Sequence, residues 1–383
     1  MAASSRISRI ETFAVPPRWL FVRVESDDGA VGWGEASLEG HAEAVDGAFA
    51  ALRDRFIGHD PFRIEDIWQI GYRGGFYRGG PVLMSALAGL EQALWDLKGR
   101  ALNLPAWEML GGRVRDKVRA YVWIGGDRPH EIADAAKARK EQGFSAVKMN
   151  ATAELGWIGT PKIFDEVIAR VEAAQAACMD VGLDFHGRVH RPLAKQLAKV
   201  LEPLGLLFIE EPLLSENPEG LAQLANLIST PIALGERLYS RWDFKPFFES
   251  GAVDIIQPDL SHAGGILECR KIAAMAEAYD IAVAPHCPLG PLALAACLQV
   301  AACTPNVAIQ EMSLGIHYNV GADLFTYCKQ KEQLSPQDGF LAIPTGPGLG
   351  VDIDEDVVRD AHKDPHSWRN PIWRQADGSF AEW

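Results

Sequence analysis

A chain of 383 residues can hold one large barrel with a smaller companion, or two to three average domains, and 48% hydrophobic against 23% charged residues exclude a disordered or fibrous protein. Its 51 acidic and 37 basic side chains leave a net charge of −14, which repels nucleic acid phosphates and anionic membrane surfaces, so neither is expected as a partner. The start, Met1-Ala-Ala-Ser-Ser-Arg-Ile7, has no apolar secretion core, and no run of about 18 apolar residues occurs, so a cytoplasmic protein is expected. The six cysteines form no CxxC pair and sit mostly in apolar or helical surroundings, which predicts reduced thiols.

From Arg6 to about Asp116 the pattern is α+β. Leu20-Phe-Val-Arg-Val-Glu25 alternates like a strand, Asp27-Asp-Gly29 turns, and Val31-Gly-Trp-Gly-Glu35 returns, which predicts a hairpin. Helical spacing follows over 41–56, 62–71 and 85–100. From about 117 a new rhythm begins. Apolar runs ending in polar residues occupy 118–123, 146–150, 181–186, 206–210, 232–236, 253–257, 281–286 and 307–311, with helical segments between them. Eight such runs predict a closed parallel barrel with its active site at the carboxyl ends of the strands. An open doubly wound sheet is the rival, but no GxGxxG follows the first run. After about 325 turn-rich segments return, expected to pack back on the first region. The expected domains are therefore 1–116, 117–325 and 326–383.

Ionisable groups are expensive inside a barrel, yet Lys148, Asp184, Glu210, Glu236, Asp259, His286 and Glu311 fall at or near the ends of runs two to eight. Asp184, Glu210 and Glu236 lie at equal intervals close to one β/α repeat, so they should converge. Three converging carboxylates require a cation, and all-oxygen ligation indicates Mg²⁺. The equal spacing selects Glu210 over adjacent Glu211. If the chain stays extended, two-residue alternation places His186 on the face of Asp184 and Asn150 on the face of Lys148, toward the substrate. Asp259 and His286 come from neighbouring runs, and an aspartate that fixes a histidine tautomer makes a general base. His262 and His317 follow strand ends, and the sequence leaves open whether they line the pocket.

The segments Tyr72-Arg-Gly-Gly-Phe-Tyr-Arg-Gly-Gly-Pro81, Trp123-Ile-Gly-Gly-Asp-Arg-Pro129, Gly182-Leu-Asp-Phe-His-Gly-Arg188, Phe208-Ile-Glu-Glu-Pro212, Gly235-Glu-Arg237, Gln257-Pro-Asp-Leu-Ser-His-Ala-Gly-Gly265, Ala284-Pro-His-Cys-Pro-Leu-Gly-Pro291 and Trp368-Arg-Asn-Pro-Ile-Trp-Arg374 together resemble the enolase superfamily, mandelate racemase subgroup, over nearly the whole length. The resemblance implies an α/β fold: a (β/α)₇β TIM-like barrel with an α+β capping domain formed by the N-terminal region and C-terminal segment. It implies Mg²⁺ held by Asp184, Glu210 and Glu236, a base at His286 paired with Asp259, an acid at His186, and a hydrogen-bonding carboxyl at Glu311, with Lys148 completing the cradle. Racemases of the subgroup carry Lys-x-Lys on the second strand, whereas Lys148-Met-Asn150 stands here, which argues against racemisation. The implied activity is loss of water from a small-molecule sugar acid, D-galactonate first, with a dehydratase or epimerase of another aldonic acid as the alternative. Substrate choice is expected from capping loops around Arg18-Trp19, and the resemblance implies a homo-oligomer.

Overall fold

Residues 5–125, 132–365 and 367–382 are described by a computed structural model. The expected hairpin is present as β2 (Trp19–Ser26) and β3 (Val31–Glu35), and a strand not expected from the mixed N-terminal pattern, β1 (Ile7–Val15), pairs antiparallel with β2. Helices α1 (Ala42–Phe56), α2 (Ile64–Arg73) and α3 (Pro81–Leu102) follow. Every residue of α3 from Met84 to Leu97 is buried, because this helix is wedged between the sheet and the rest of the protein. Gly32 and Gly34 make the wedge possible: a Cβ at either would strike the α3 backbone at Ala93 or Gly89. The short α4 (Ala106–Met109) ends this region.

Eight parallel strands come next: β4 (Lys117–Trp123), β5 (Ala146–Asn150), β6 (Asp180–Asp184), β7 (Phe208–Glu210), β8 (Ile232–Leu234), β9 (Ile255–Ile256), β10 (Ala282–Val283) and β11 (Gln310–Met312). Between them lie α5 (Ile132–Glu141), α6 (Asp165–Ala176), α7 (Arg191–Leu201), α8 (Pro218–Ala225), α9 (Arg241–Ser250), α10 (Ile266–Glu277) and α11 (Pro291–Cys303). The hydrogen-bonded order runs β10-β9-β8-β7-β6-β5-β4-β11. The ring closes where Val283 bridges Val307, with Val283 donating to Asn306 and Ala308 donating to Val283, both at 2.9 Å. This is the (β/α)₇β barrel. Past that bridge, side chains lace the last seam: the Cys287 amide donates to Glu311 Oε2 at 2.9 Å, Gln310 Nε2 to Pro285 O at 3.1 Å and Ser313 Oγ to Leu289 O at 2.6 Å.

The C-terminal segment divides its contacts. The start of β4 projects beyond its parallel neighbours, and β12 (Phe340–Ala342) pairs antiparallel with that projecting edge, from Phe340 opposite Arg119 to Ala342 opposite Lys117. Further on, Asp352 meets Arg100 at 3.0 Å and α12 (Glu355–Ala361) packs on β1, both in the N-terminal region. The final hairpin, β13 (Trp373–Arg374) with β14 (Phe380–Ala381), returns to the barrel, where Arg188 lies over the Trp373 ring at 4.5 Å. Of the quoted sequence segments, residues 126–129 lie outside the described residues. Among the described residues, no helix is long and apolar enough to cross a membrane. All six cysteines are unpaired, five of them buried.

Candidate active site

Lys148 in β5 is 1% exposed, and its ammonium lies 2.8 Å from Glu210 Oε2, 3.0 Å from Glu311 Oε1 and 3.4 Å from Asp184 Oδ2. Burial disfavours its charge, but Glu210 and Glu311 outweigh that and hold its pKa well above the ordinary lysine range. Gln257 adds a second donor to Glu210 Oε2 at 2.7 Å. Three carboxylates thus share this floor with one lysine.

Asp184 closes β6. The extension expected beyond it does not persist, because His186 turns back with φ +47°. The outcome for contact is nonetheless the same: its backbone amide donates to Asp184 Oδ1 at 2.9 Å, and its Nε2 comes 3.0 Å from Asp184 Oδ2. Trp123 stacks on the imidazole at 6.0 Å, and Arg188 Nη2 sits 3.3 Å from Nδ1.

Glu236 follows Gly235, whose φ is +149° and whose missing Cβ would lie 2.8 Å from the Gln257 backbone, so only glycine lets the chain pass this close before delivering the carboxylate. Glu236 Oε2 meets His286 Nε2 at 2.9 Å, and the other imidazole nitrogen meets Asp259 Oδ2 at 2.8 Å. Asp259 is oriented in turn by the Ser261 amide at 2.6 Å. Burial opposes charge on His286, yet Glu236 and Asp259 raise it well above the usual histidine value. Burial likewise opposes charge on Glu236, which His286 holds well below the carboxylate range.

Asp184, His186 and Glu236 each bring one ligand atom within 4.8 Å of the others. Glu210 stands outside that trio, held by Lys148 and Gln257, and burial together with Asp184 pushes its pKa well up. Among the described residues, Glu210 Oε1 is a buried oxygen that accepts no hydrogen bond, and buried Asp184 Oδ2 faces His186 Nε2 at 3.0 Å and Lys148 Nζ at 3.4 Å. An unpartnered Glu210 oxygen beside Asp184 of the adjacent strand, in a site with excess negative charge, fits a hard divalent cation. Glu211 is turned away at φ +42° and binds Arg237 Nε at 2.9 Å and Ser215 Oγ at 3.0 Å.

These groups open on a cavity of about 540 Å³ whose opposite wall comes from the N-terminal region and the C-terminal segment, including Arg18, Glu39, His41, Asn370 and Glu382. Of the two histidines left open by the sequence, His262 lines it and His317 is exposed against Tyr318. Asn150, expected at the substrate, is fully buried and not part of the lining. Arg170 and Arg188 hold the carbonyls of Ala151 and Thr152, so the chain following Asn150 is folded against the barrel. Sequence reasoning missed Glu39 altogether. It belongs to no strand-end pattern and reaches the site only because the two regions dock.

The N-terminal domain of the mandelate racemase / muconate lactonizing enzyme family matches residues 12–111, and the enolase C-terminal domain-like family matches residues 131–357. A D-galactonate dehydratase of Ralstonia pickettii (strain 12J) is 55% identical over 381 residues, 99% of this chain and 100% of that protein. An enolase from Agrobacterium radiobacter, solved with Na and L-malate bound, has a TM-score of 0.89 at 29% identity, covering 99% of this chain and 100% of that one. A mandelate racemase/muconate lactonizing enzyme from Sulfitobacter sp. has a TM-score of 0.85 at 30% identity, covering 94% and 96%. Enolase-superfamily sites work with divalent metal ions. With both regions matched, the chain belongs to the mandelate racemase / muconate lactonizing enzyme family of the enolase superfamily.

Proposed function

We propose that this protein is a Mg²⁺-dependent hydro-lyase that converts D-galactonate to 2-keto-3-deoxy-D-galactonate. The observation that carries the reading is the pair of histidines at the mouth, each tied to its own carboxylate, His286 to Asp259 and His186 to Asp184. The choice of D-galactonate is supported by the 55% identical relative of that name.

The proton on C2 of a carboxylate is very weakly acidic, so its removal requires that the enediolate charge be stabilised as it forms. Asp184, Glu210 and Glu236 would hold the ion, which when bound supplies Lewis-acid stabilisation of that charge. Lys148 adds a fixed cation beside the substrate carboxylate, and Glu311, anchored by the Cys287 amide, would have to carry a proton to donate a hydrogen bond to a carboxylate oxygen. Asp259 keeps the proton of His286 on Nδ1, leaving Nε2 as the basic nitrogen that takes the C2 proton. His186 gives its proton to the C3 hydroxyl, which leaves as water. The enol then tautomerises to the 2-keto acid. Hydrogen from C2 and hydroxyl from C3 balance the water lost.

A screen of aldonic acids with Mg²⁺ and a keto-acid assay tests this. D-galactonate is expected to give the highest kcat/KM, and a preference of about tenfold or more for another acid, roughly 1.4 kcal/mol, overturns the substrate while leaving the mechanism. A cytoplasmic homo-oligomer belongs to the same reading, with size-exclusion chromatography as its check.

A further inference from the structure

We propose that Glu39 selects sugar acids whose far end carries hydroxyls and rejects diacids, which makes it a specificity-determining residue of the cavity. The inference rests on the functional reading above.

Glu39 stands four residues past β3 and bridges the two regions. Its Oε1 accepts from Arg18 Nη1 at 3.1 Å, and its Oε2 lies 3.4 Å from His262 Nε2. Arg18 also donates to Pro288 O at 3.0 Å, and its guanidinium lies against the rings of Tyr318 at 4.9 Å and Trp368 at 5.4 Å. The side chains of Arg18 and His262 are 4% and 5% exposed, whereas that of Glu39 is 19% exposed and lines the cavity. The carboxylate is thus the more open member of this cluster.

Burial opposes its charge, but the His262 hydrogen bond and the Arg18 charge prevail and hold its pKa down at about 2. An ionised carboxylate accepts and never donates, and each oxygen has room for a further donor beyond the one it faces. A ligand group placed here must therefore bring hydrogen. A hydroxyl does. A second carboxylate brings acceptor lone pairs and like charge into a partly desolvated site, and is repelled.

Direction follows from the opposite end. Lys148, together with the cation that Asp184, Glu210 and Glu236 would hold, takes the substrate's own carboxylate, with His286 at C2 and His186 at C3. The carbons beyond C3 then run toward the wall from the N-terminal region, where Glu39 meets the terminal hydroxyls of an aldonic acid or the second carboxylate of the corresponding 1,6-diacid.

The test compares kcat/KM for D-galactonate and for the 1,6-diacid of the same configuration, using the Mg²⁺-loaded enzyme, alongside Kd for each acid by calorimetry. The wild type is expected to favour the monoacid by about a hundredfold or more, and Glu39→Gln to shrink that ratio roughly tenfold or more, with KM for the monoacid rising. A wild type that uses both acids within about tenfold overturns the proposal, as does a Glu39→Gln enzyme that slows both acids equally, the signature of a mere staple between regions. If Glu39→Gln does not fold, the wild-type ratio decides alone. If the wild type dehydrates neither acid, the functional reading fails, and the two Kd values still decide the role of Glu39.

Discussion

Two sets of buried carboxylates serve this protein differently. At the seam between the N-terminal region and the barrel, Glu35 Oε1 accepts from the Gly290 amide and from Ser37 Oγ, both at 2.8 Å, and its Oε2 accepts from the Ala293 amide at 3.0 Å. Glu91 accepts from Ile266 and Leu267 amides at 2.7 and 2.9 Å and from Trp95 Nε1 at 2.6 Å. Each occupies the amino end of a barrel helix, α11 or α10, where backbone donors have no partner within the helix and the helix dipole favours negative charge. At the barrel mouth, Glu210 Oε1 is just as buried and accepts no hydrogen bond, while Asp184 Oδ2 faces the side chains of His186 and Lys148 rather than backbone amides. Burial alone therefore does not mark a working carboxylate. An unused acceptor oxygen does.

The sharpest way to break this contrast is to remove the ion. Chelation should abolish turnover and added Mg²⁺ restore it, and full activity in a metal-free sample would show that this carboxylate cluster needs no cation. Next come the two histidines. His286→Asn should lower kcat by about 10³-fold or more and stop exchange of the C2 proton with solvent deuterium. His186→Asn should lose dehydration of the natural substrate yet still eliminate fluoride from a C3-fluoro analogue, which needs little protonation. The reverse pattern would exchange their roles. A smaller effect separates neighbours on one strand: Glu210→Gln should weaken Mg²⁺ binding about 10- to 100-fold, measured by calorimetry, and Glu211→Gln much less, since Glu211 is committed to Arg237. Equal effects would put the ligand in the wrong place.

The smallest expected effects lie at the seam and concern stability. Burial pushes Glu35 and Glu91 up to about 7 from 4.5. A carboxyl raised on folding favours the fold while neutral, so its contribution is complete below pH 4.5 and is lost as pH rises through about 7, on the order of 3 kcal/mol for each group. Wild-type Tm should fall between pH 5 and 8. Glu35→Gln should flatten that slope while costing about 1–3 kcal/mol, because one amide nitrogen would face backbone donors. A slope unchanged in the variant would remove Glu35 from the titration.

The barrel was legible because parallel strands buried on both faces read as continuous apolar runs, and because their polar ends recur once per repeat. Asp184, Glu210, Glu236, Asp259 and His286 could be picked out on that basis. Glu39 and Arg18 offered no such signal: the Arg18 contact with Pro288 joins residues 270 apart, through a side chain and a backbone oxygen that no periodicity encodes. Asn150 ends β5 between β4 and β6, and Arg170 and Arg188 hold the carbonyls of the loop after it, contacts that no periodicity encodes. The pairing of β12 with β4 escaped for a different reason. A three-residue strand is too short to show alternation, and only the projecting edge of β4 gives it a partner.

Glu311 joins chemistry to the integrity of the ring. One carboxylate oxygen faces Lys148 while the other accepts the Cys287 amide across the last strand seam, where the backbone ladder has already ended at Val283. The Cys287 amide is thus a built-in gauge of the occupant. Its exchange with deuterated water should slow when a substrate carboxylate settles against Glu311 and stiffens the stitch, and quicken when that carboxyl is drawn away, so the filling of the pocket is readable from the breathing of the barrel wall.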